Sequence, residues 1–367
     1  MRDTWHEIIS GRRPGPGAGL ARVSLRAASG LYACGLAANH AIYDWGLRRR
    51  TRPALPVVSV GNLTLGGTGK TTTAAFIARA MAVRVTPGIV LRGYGGEAGH
   101  GPTIVSDGTA VRASLQEAGD EALMLAHMLP GCAVAVGKRR ERVIEALRDE
   151  TPARVAVLDD GFQYFRMERQ AEVVLLDALA DLHTWRLFPA GCLREPLRNL
   201  RRADQVWITH ADLGGPERVA ALRELVARHR PGCPVVTTQH RPGALRALEA
   251  GRDVPPSVAG MRVLALSALG NPEAFERGMA KLGAYVVPLR FADHHAYEPA
   301  DWERVRDAAE TAGAQLVVTT EKDAVKLPPP PDEAPPVAVL GCELGILEGA
   351  DAVAELVEWV AGLAKRW

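Results

Sequence analysis

From about residue 55 onward, short apolar runs alternate with longer stretches whose apolar positions recur at helical spacing. That alternation is the mark of a parallel sheet with crossover helices. Strands are predicted over 57–60, 89–91, 133–136, 155–158, 173–176, 206–209 and 235–238, and, after a break, over 263–266, 285–287 and 316–319. Helices are predicted over 72–81, 121–129, 139–148 and 352–363. Arg92-Gly93-Tyr94-Gly95-Gly96 is too rich in glycine to continue any element, and Gly119-Asp120 reads as a helix start. The Pro- and Gly-bearing stretch 241–260 reads as a linker, and 328–336 as a proline-rich surface loop. The fold class expected is α/β, with two α/β/α domains and mostly parallel sheets at 53–240 and 261–367. A length of 367 residues accommodates two such cores.

The first 52 residues follow another pattern. The run 27–42 (AASGLYACGLAANHAI) is apolar but shorter than the ~20 residues needed to span a bilayer, and it contains Asn39 and His40. Arg12, Arg13, Arg22 and Arg26 precede it; Arg48, Arg49, Arg50 and Arg52 follow. A helix lying in a membrane interface, with arginines reaching anionic headgroups, fits this layout; an amphipathic helix packed on the core is the plainer alternative. The whole chain carries a formal charge of only +2, which excludes the broad basic field of a dedicated nucleic-acid binder. Five scattered cysteines form no C-x-x-C pair, which argues against a disulfide framework or a zinc site.

Chemistry concentrates first at Val57–Asn62 and the residues that follow, Leu63-Thr64-Leu65-Gly66-Gly67-Thr68-Gly69-Lys70-Thr71-Thr72. A strand, a glycine-rich loop and Gly-Lys-Thr opening a helix make a P-loop, the phosphate cradle of P-loop NTPases. Small residues let backbone N–H groups curl around phosphates, Lys70 reaches the β and γ phosphates, and Thr71 holds Mg²⁺. The first position of the loop is Thr64, where a glycine is usual. Downstream, the apolar strand at 155–158 ends on Asp159-Asp160, the place where P-loop proteins keep a Mg²⁺-holding acid. Adjacent strand residues point to opposite faces, so the sequence leaves open which of the two faces the metal. Three further elements have a plain reading beside a functional one. Asp120-Glu121 starts a helix and alone reads as a cap. Asp293-His294-His295 lies in a loop where histidines are commonly surface residues. Arg194-Glu195, in a turn-rich loop, is either a phosphate clamp or a surface ion pair. Thr319 to Asp323 ends a strand as a nucleotide- or substrate-facing segment would. No N-K-x-D guanine-reading motif is present, which favours adenine.

Taken in order, the arginine-flanked apolar N-terminus, VGNLTLGGTGKT, RGYGG, GDEALMLA, VGKRR, DDGFQ, FPAGCLREPL, FADHH and VTTEKDAVKL closely resemble the tetraacyldisaccharide 4′-kinases, or lipid A 4′-kinases. The resemblance covers most of the chain. It implies ATP- and Mg²⁺-dependent phosphorylation of the 4′-hydroxyl of a tetraacylated glucosamine disaccharide 1-phosphate. It places the enzyme at the cytoplasmic leaflet of the bacterial inner membrane, with two domains facing across a cleft and no obligate protein partner. On this resemblance Asp120 is the base, assisted by His294. Glu121, Arg139, Arg140, Gln163, Arg194 and Glu195 line the substrate site, and Asp159 and Asp160 are the acidic pair. Tyr164 stands where the family usually has a histidine. Two other readings compete with it. A membrane-associated regulatory P-loop ATPase would carry a signature lysine where this loop has Leu65. A P-loop kinase of a soluble small molecule would leave the apolar N-terminus without a role.

Overall fold

The computed structural model describes residues 2–93, 101–249, 252–270, 272–293 and 295–367. Its strands are β1 (Val57–Asn62), β2 (Pro87–Leu91), β3 (Thr103–Asp107), β4 (Ala133–Val136), β5 (Val155–Asp159), β6 (Ala171–Asp177), β7 (Gln205–Thr209), β8 (Val235–Ala247), β9 (Arg262–Ser267), β10 (Tyr285–Arg290), β11 (Leu316–Thr320) and β12 (Val337–Glu348). They join in one twelve-stranded sheet in the order β10-β9-β11-β12-β8-β7-β6-β1-β5-β2-β4-β3. Every neighbouring pair is parallel except β3 with β4 and β8 with β12.

Alternation along each strand divides the core between two faces. Val58 and Val60 of β1 pack with Ile77 and Ala74 of helix Lys70–Met81, whereas Val57 packs with Ile144 and Leu147 of helix Arg140–Glu150. With helices on both sides, the central strands are apolar at nearly every position, as buried parallel strands are. The second half repeats this layering. Leu264 and Leu266 face helix Asp301–Ala312, while Val263 and Ala265 face Met279 of helix Pro272–Lys281.

Three features differ from the sequence expectation. Residues 241–247 of the expected linker are strand, the distal part of β8, which pairs antiparallel with β12. The ribbon so formed starts beside β7 and ends beside β11, so it joins the two halves of the sheet. The last helix, Ala350–Ala364, packs through Val353, Leu356 and Val360 into the core around Val58 and Ala74, so it belongs with the half that contains the glycine-rich loop. The N-terminal helix is longer than the apolar run. It spans Pro16–Asp44, with proline in its first turn where a missing N–H costs nothing.

Candidate active site

Gly61 decides how the acidic pair reaches the glycine-rich loop. A Cβ there would lie 2.5 Å from Cβ of Phe162, so only glycine lets the chain after β5 cross β1 this closely. Asp159 and Asp160 arrive beside the loop in consequence. Thr71 Oγ1 donates to Asp159 Oδ2 at 3.0 Å, and Lys70 Nζ stands 3.7 Å from Asp160 Oδ1. Asp160 adopts φ 52°, a left-handed conformation uncommon for a residue with a side chain.

Thr64 has its own explanation. Buried and extended, it forms a bridge with Leu193, flanked by Leu65 N–H to Cys192 O at 2.7 Å and Arg194 N–H to Leu63 O at 2.6 Å. The start of the phosphate loop is thereby strapped to residues 192–194, and Arg194 is delivered to Asp160 at 2.9 Å. Gln163 fixes the same corner by donating to Asn62 O at 2.9 Å and to Glu195 Oε1 at 3.1 Å.

These groups open on a cleft of about 1000 Å³. Leu65 to Thr72, Glu121, Asp159, Asp160 and Arg194 line one side; Gly270, Asp293 and Lys322 come from the second half, and Trp5 and His6 from helix Arg2–Ile9. Asp120 is the first residue of helix Asp120–Met128, with Gly119 as its cap. Its Oδ1 accepts from Glu121 N–H at 2.9 Å, and its Oδ2 lies 3.9 Å from Lys322 Nζ across the cleft.

Several expected site residues lie elsewhere. Glu195 is fully buried and accepts from Gln163, Asn199 and Arg202, so it positions the Arg194 loop instead of facing the cleft. Arg139 and Arg140 cluster with Glu141 and Tyr164: Arg139 bonds Glu141 at 3.1 Å, and Tyr164 Oη donates to Glu141 while accepting from Arg140 N–H at 3.2 Å. His295 is engaged by Asp301 at 2.9 Å and stacks near Phe291. His294, like Tyr94, Gly95 and Gly96 of the glycine-rich loop, lies outside the described residues. Trp5, His6 and Lys322 were not singled out by sequence. Of these, only Lys322 sat in a segment whose strand-end position hinted at the cleft.

The electrostatics favour a cation. Burial pushes the Asp159 carboxyl up to about 6; the Thr71 hydroxyl and Lys70 oppose this, and Glu121 and Asp160 add to it. Its Oδ1 is buried without a hydrogen-bond partner. One orphaned carboxylate oxygen beside a threonine hydroxyl suits Mg²⁺, which keeps several waters and needs only one or two carboxylates.

Known proteins sharpen the picture. The family model described as tetraacyldisaccharide-1-P 4'-kinase matches residues 21–361. The chain is 40% identical over 362 residues to a tetraacyldisaccharide 4'-kinase of Anaeromyxobacter sp. strain Fw109-5, covering 97% of this chain and 95% of that one. A namesake in Geobacter sulfurreducens is 34% identical, over 88% of this chain and 89% of its own. The crystal structure of "apo" form LpxK from Aquifex aeolicus in complex with ATP superposes with a TM-score of 0.73 at 28% identity, covering 93% of this chain and 99% of that one. A match that runs from the N-terminal helix to the last one, on a mostly parallel α/β sheet of the same shape, assigns the chain to the tetraacyldisaccharide-1-P 4'-kinase family.

Proposed function

We propose that the chain is a kinase that uses ATP and Mg²⁺ to phosphorylate the 4′-hydroxyl of a tetraacylated glucosamine disaccharide 1-phosphate in lipid A biosynthesis. The observation that carries this reading is the seating of Lys70 and Thr71 against Asp160 and Asp159 in a cleft lined by Glu121, the neighbour of Asp120, and by Lys322, which pairs with Asp120. The backbone amides of Gly66 to Lys70 bind the phosphates, and Lys70 with Arg194 offsets charge on the phosphoryl group in flight. Thr71 and Asp159 would hold Mg²⁺, which would supply positive charge to offset that of the phosphates. Asp160 sits between Lys70 and Arg194 and orients both.

A sugar hydroxyl ionises far above neutral pH, so its oxygen attacks only as a base takes its proton. In this reading the oxygen bonds to the terminal phosphorus, the bond to the departing diphosphate breaks, and the proton passes to the Asp120 carboxylate. His294 is the assistant in this scheme. Lys322 comes from the opposite half and keeps the carboxylate at the cleft wall. Purified protein with Mg-ATP and the detergent-solubilised disaccharide 1-phosphate is expected to give the 4′-phosphorylated product. ATP turnover without that product would overturn the lipid-kinase reading in favour of an ATPase.

An acylated acceptor stays in a bilayer, so the enzyme must meet the membrane. Helix Pro16–Asp44 supplies a surface for this: Leu20 (69% exposed), Val23, Leu31 (78%) and Ile42 recur at helical spacing on its outer side, with Trp45 just beyond. Its inner side docks on the active-site loop, where Ser29 Oγ donates to Leu187 O and Tyr32 Oη to Arg194 O, each at 2.9 Å. Among the described residues no helix is long and apolar enough to cross a membrane. In this reading the exposed apolar side of the helix rests on the inner membrane at its cytoplasmic face. Replacing Leu20, Val23 and Leu31 together by serine is expected to reduce sedimentation with anionic vesicles several-fold at an unchanged melting temperature. Undiminished sedimentation would remove the helix from membrane binding.

A further inference from the structure

Helix Arg2–Ile9 lies ahead of residue 21, where the match to the family model begins, yet it reaches the cleft. The chain turns between it and helix Pro16–Asp44 through Gly11 (φ 78°) and Gly15 (φ 106°), both at positive φ, where glycine is the favoured residue. Arg22 Nη1 donates to Arg13 O at 3.2 Å across this turn, Ile9 is buried, and the two helices touch. Trp5 is thereby carried back to the middle of the long helix. Its ring and that of Tyr32 both stand beside Phe188, at 6.2 and 5.7 Å.

The indole of Trp5 is held in one orientation. Its Nε1 donates to Pro189 O at 3.0 Å, its plane is tilted 51° to that of Phe188, and His6 stands edge-on to it at 4.9 Å. Pro189 belongs to the loop that brings Arg194 to Asp160 at 2.9 Å, so the indole is tied to the same segment as the arginine of the reaction centre. Half-buried, it lines the cleft together with Leu65, Gly66 and Gly67.

A flat apolar face in this place has a defined use. The same cleft presents the charges of Lys70, Asp160, Arg194, Asp293 and Lys322. An acyl chain laid there would strip water from these groups and return nothing. A pyranose offers hydroxyls to them at its edge and C–H bonds to an aromatic ring on its face. The attacking hydroxyl must come within about 3 Å of the terminal phosphorus, which brings its sugar ring into the stretch of cleft that Trp5 lines. We propose that Trp5 is the platform for the pyranose that carries the 4′-hydroxyl, a binding residue that helix Arg2–Ile9 adds to the acceptor side of the cleft. The proposal rests on the lipid-kinase reading of that cleft.

The test separates the sugar from its acyl chains. Steady-state kinetics with Mg-ATP and the detergent-solubilised acceptor are run on wild type, Trp5→Ala and Trp5→Phe, with the fully deacylated disaccharide 1-phosphate as a competitor. Trp5→Ala is expected to raise the acceptor KM and the inhibition constant of the deacylated sugar together, roughly three- to tenfold, the scale of one aromatic contact. Its kcat, ATP KM and melting temperature are expected to stay at wild-type values. Trp5→Phe keeps a ring and loses the N–H donor, and is expected to remain within about twofold of wild type. Equal losses in the two variants would show that the bond to Pro189 matters and the face does not, and the proposal would fall. A drop in kcat at unchanged KM would make Trp5 a brace for the Arg194 loop. A raised acceptor KM with an unchanged constant for the deacylated sugar would place it against the acyl chains. Either result overturns the stack, as would wild-type kinetics in both variants. A wild type that turns over ATP but yields no phosphorylated disaccharide would refute the lipid-kinase reading itself.

Discussion

Replacing Asp120 by alanine is expected to lower turnover of the disaccharide acceptor about a hundredfold or more, the usual range for losing a general base. ATP affinity is expected to stay within about twofold of wild type, because no phosphate-loop residue is altered. Stability separates this from a structural effect. Asp120 accepts one backbone N–H and pairs with Lys322 at 3.9 Å, with side chains 16% and 23% exposed. A partly solvated contact of that kind is worth about 1 kcal/mol or less, whereas a hundredfold rate loss corresponds to about 2.7 kcal/mol in the barrier. Measured kcat, ATP affinity and melting temperature together decide. A wild-type rate would leave Asp120 as a helix-end acid and nothing more.

The second large effect is one in which a damaged active site gives a firmer protein. Asp159 titrates at about 6 in the fold, against 3.8 for a free side chain, chiefly because burial penalises its charge. For a carboxyl raised in this way, the stabilising contribution is complete below the unfolded value and is lost as pH rises through the folded one. The window therefore runs from roughly pH 4 to pH 6, and above it the ionised side chain costs the apo fold up to roughly 3 kcal/mol. Asp159→Asn removes that cost while the carboxamide oxygen can still accept from Thr71. The variant is expected to melt higher than wild type at pH 7.5 without Mg²⁺, with the gap closing towards pH 4. Nucleotide and Mg²⁺ are expected to stabilise wild type more than the variant, and turnover is expected to fall at least about a hundredfold. A variant less stable than wild type at pH 7.5 would show that the ionised carboxylate is well compensated in the apo fold.

The parts of this molecule that could be read from sequence are those where one local rule acts alone. β1, the glycine loop and helix Lys70–Met81 were legible because strand period, loop chemistry and helix start agree within a few residues. The ribbon was not. In β8 the sequence Gln239-His240-Arg241-Pro242-Gly243 breaks any strand pattern, yet Pro242 pairs with Cys342 beside a register shift, where a bulge tolerates it. The Arg194 loop carries no periodicity either. Its place comes from backbone bonds to Leu63 and Leu65 across the molecule, which only the fold supplies. Motif resemblance drew Glu195 into the active site, and burial with three donors moved it behind the site. The same motif order could not show that Tyr164 turns towards Glu141 and Arg140, away from the cleft.

The β8–β12 ribbon also sets an order for the chain's synthesis. The polypeptide leaves the phosphate-loop half along β8, builds the whole of the second half, and returns along β12, where Ala338 lies beside Ala247. Only then is helix Ala350–Ala364 made, and its Val353, Leu356, Val357 and Val360 close the core over Val58 and Ala74. As the chain emerges from the ribosome, the half that begins first is therefore finished last. Until helix Ala350–Ala364 is made, the apolar side chains that it covers in this core stay open to solvent.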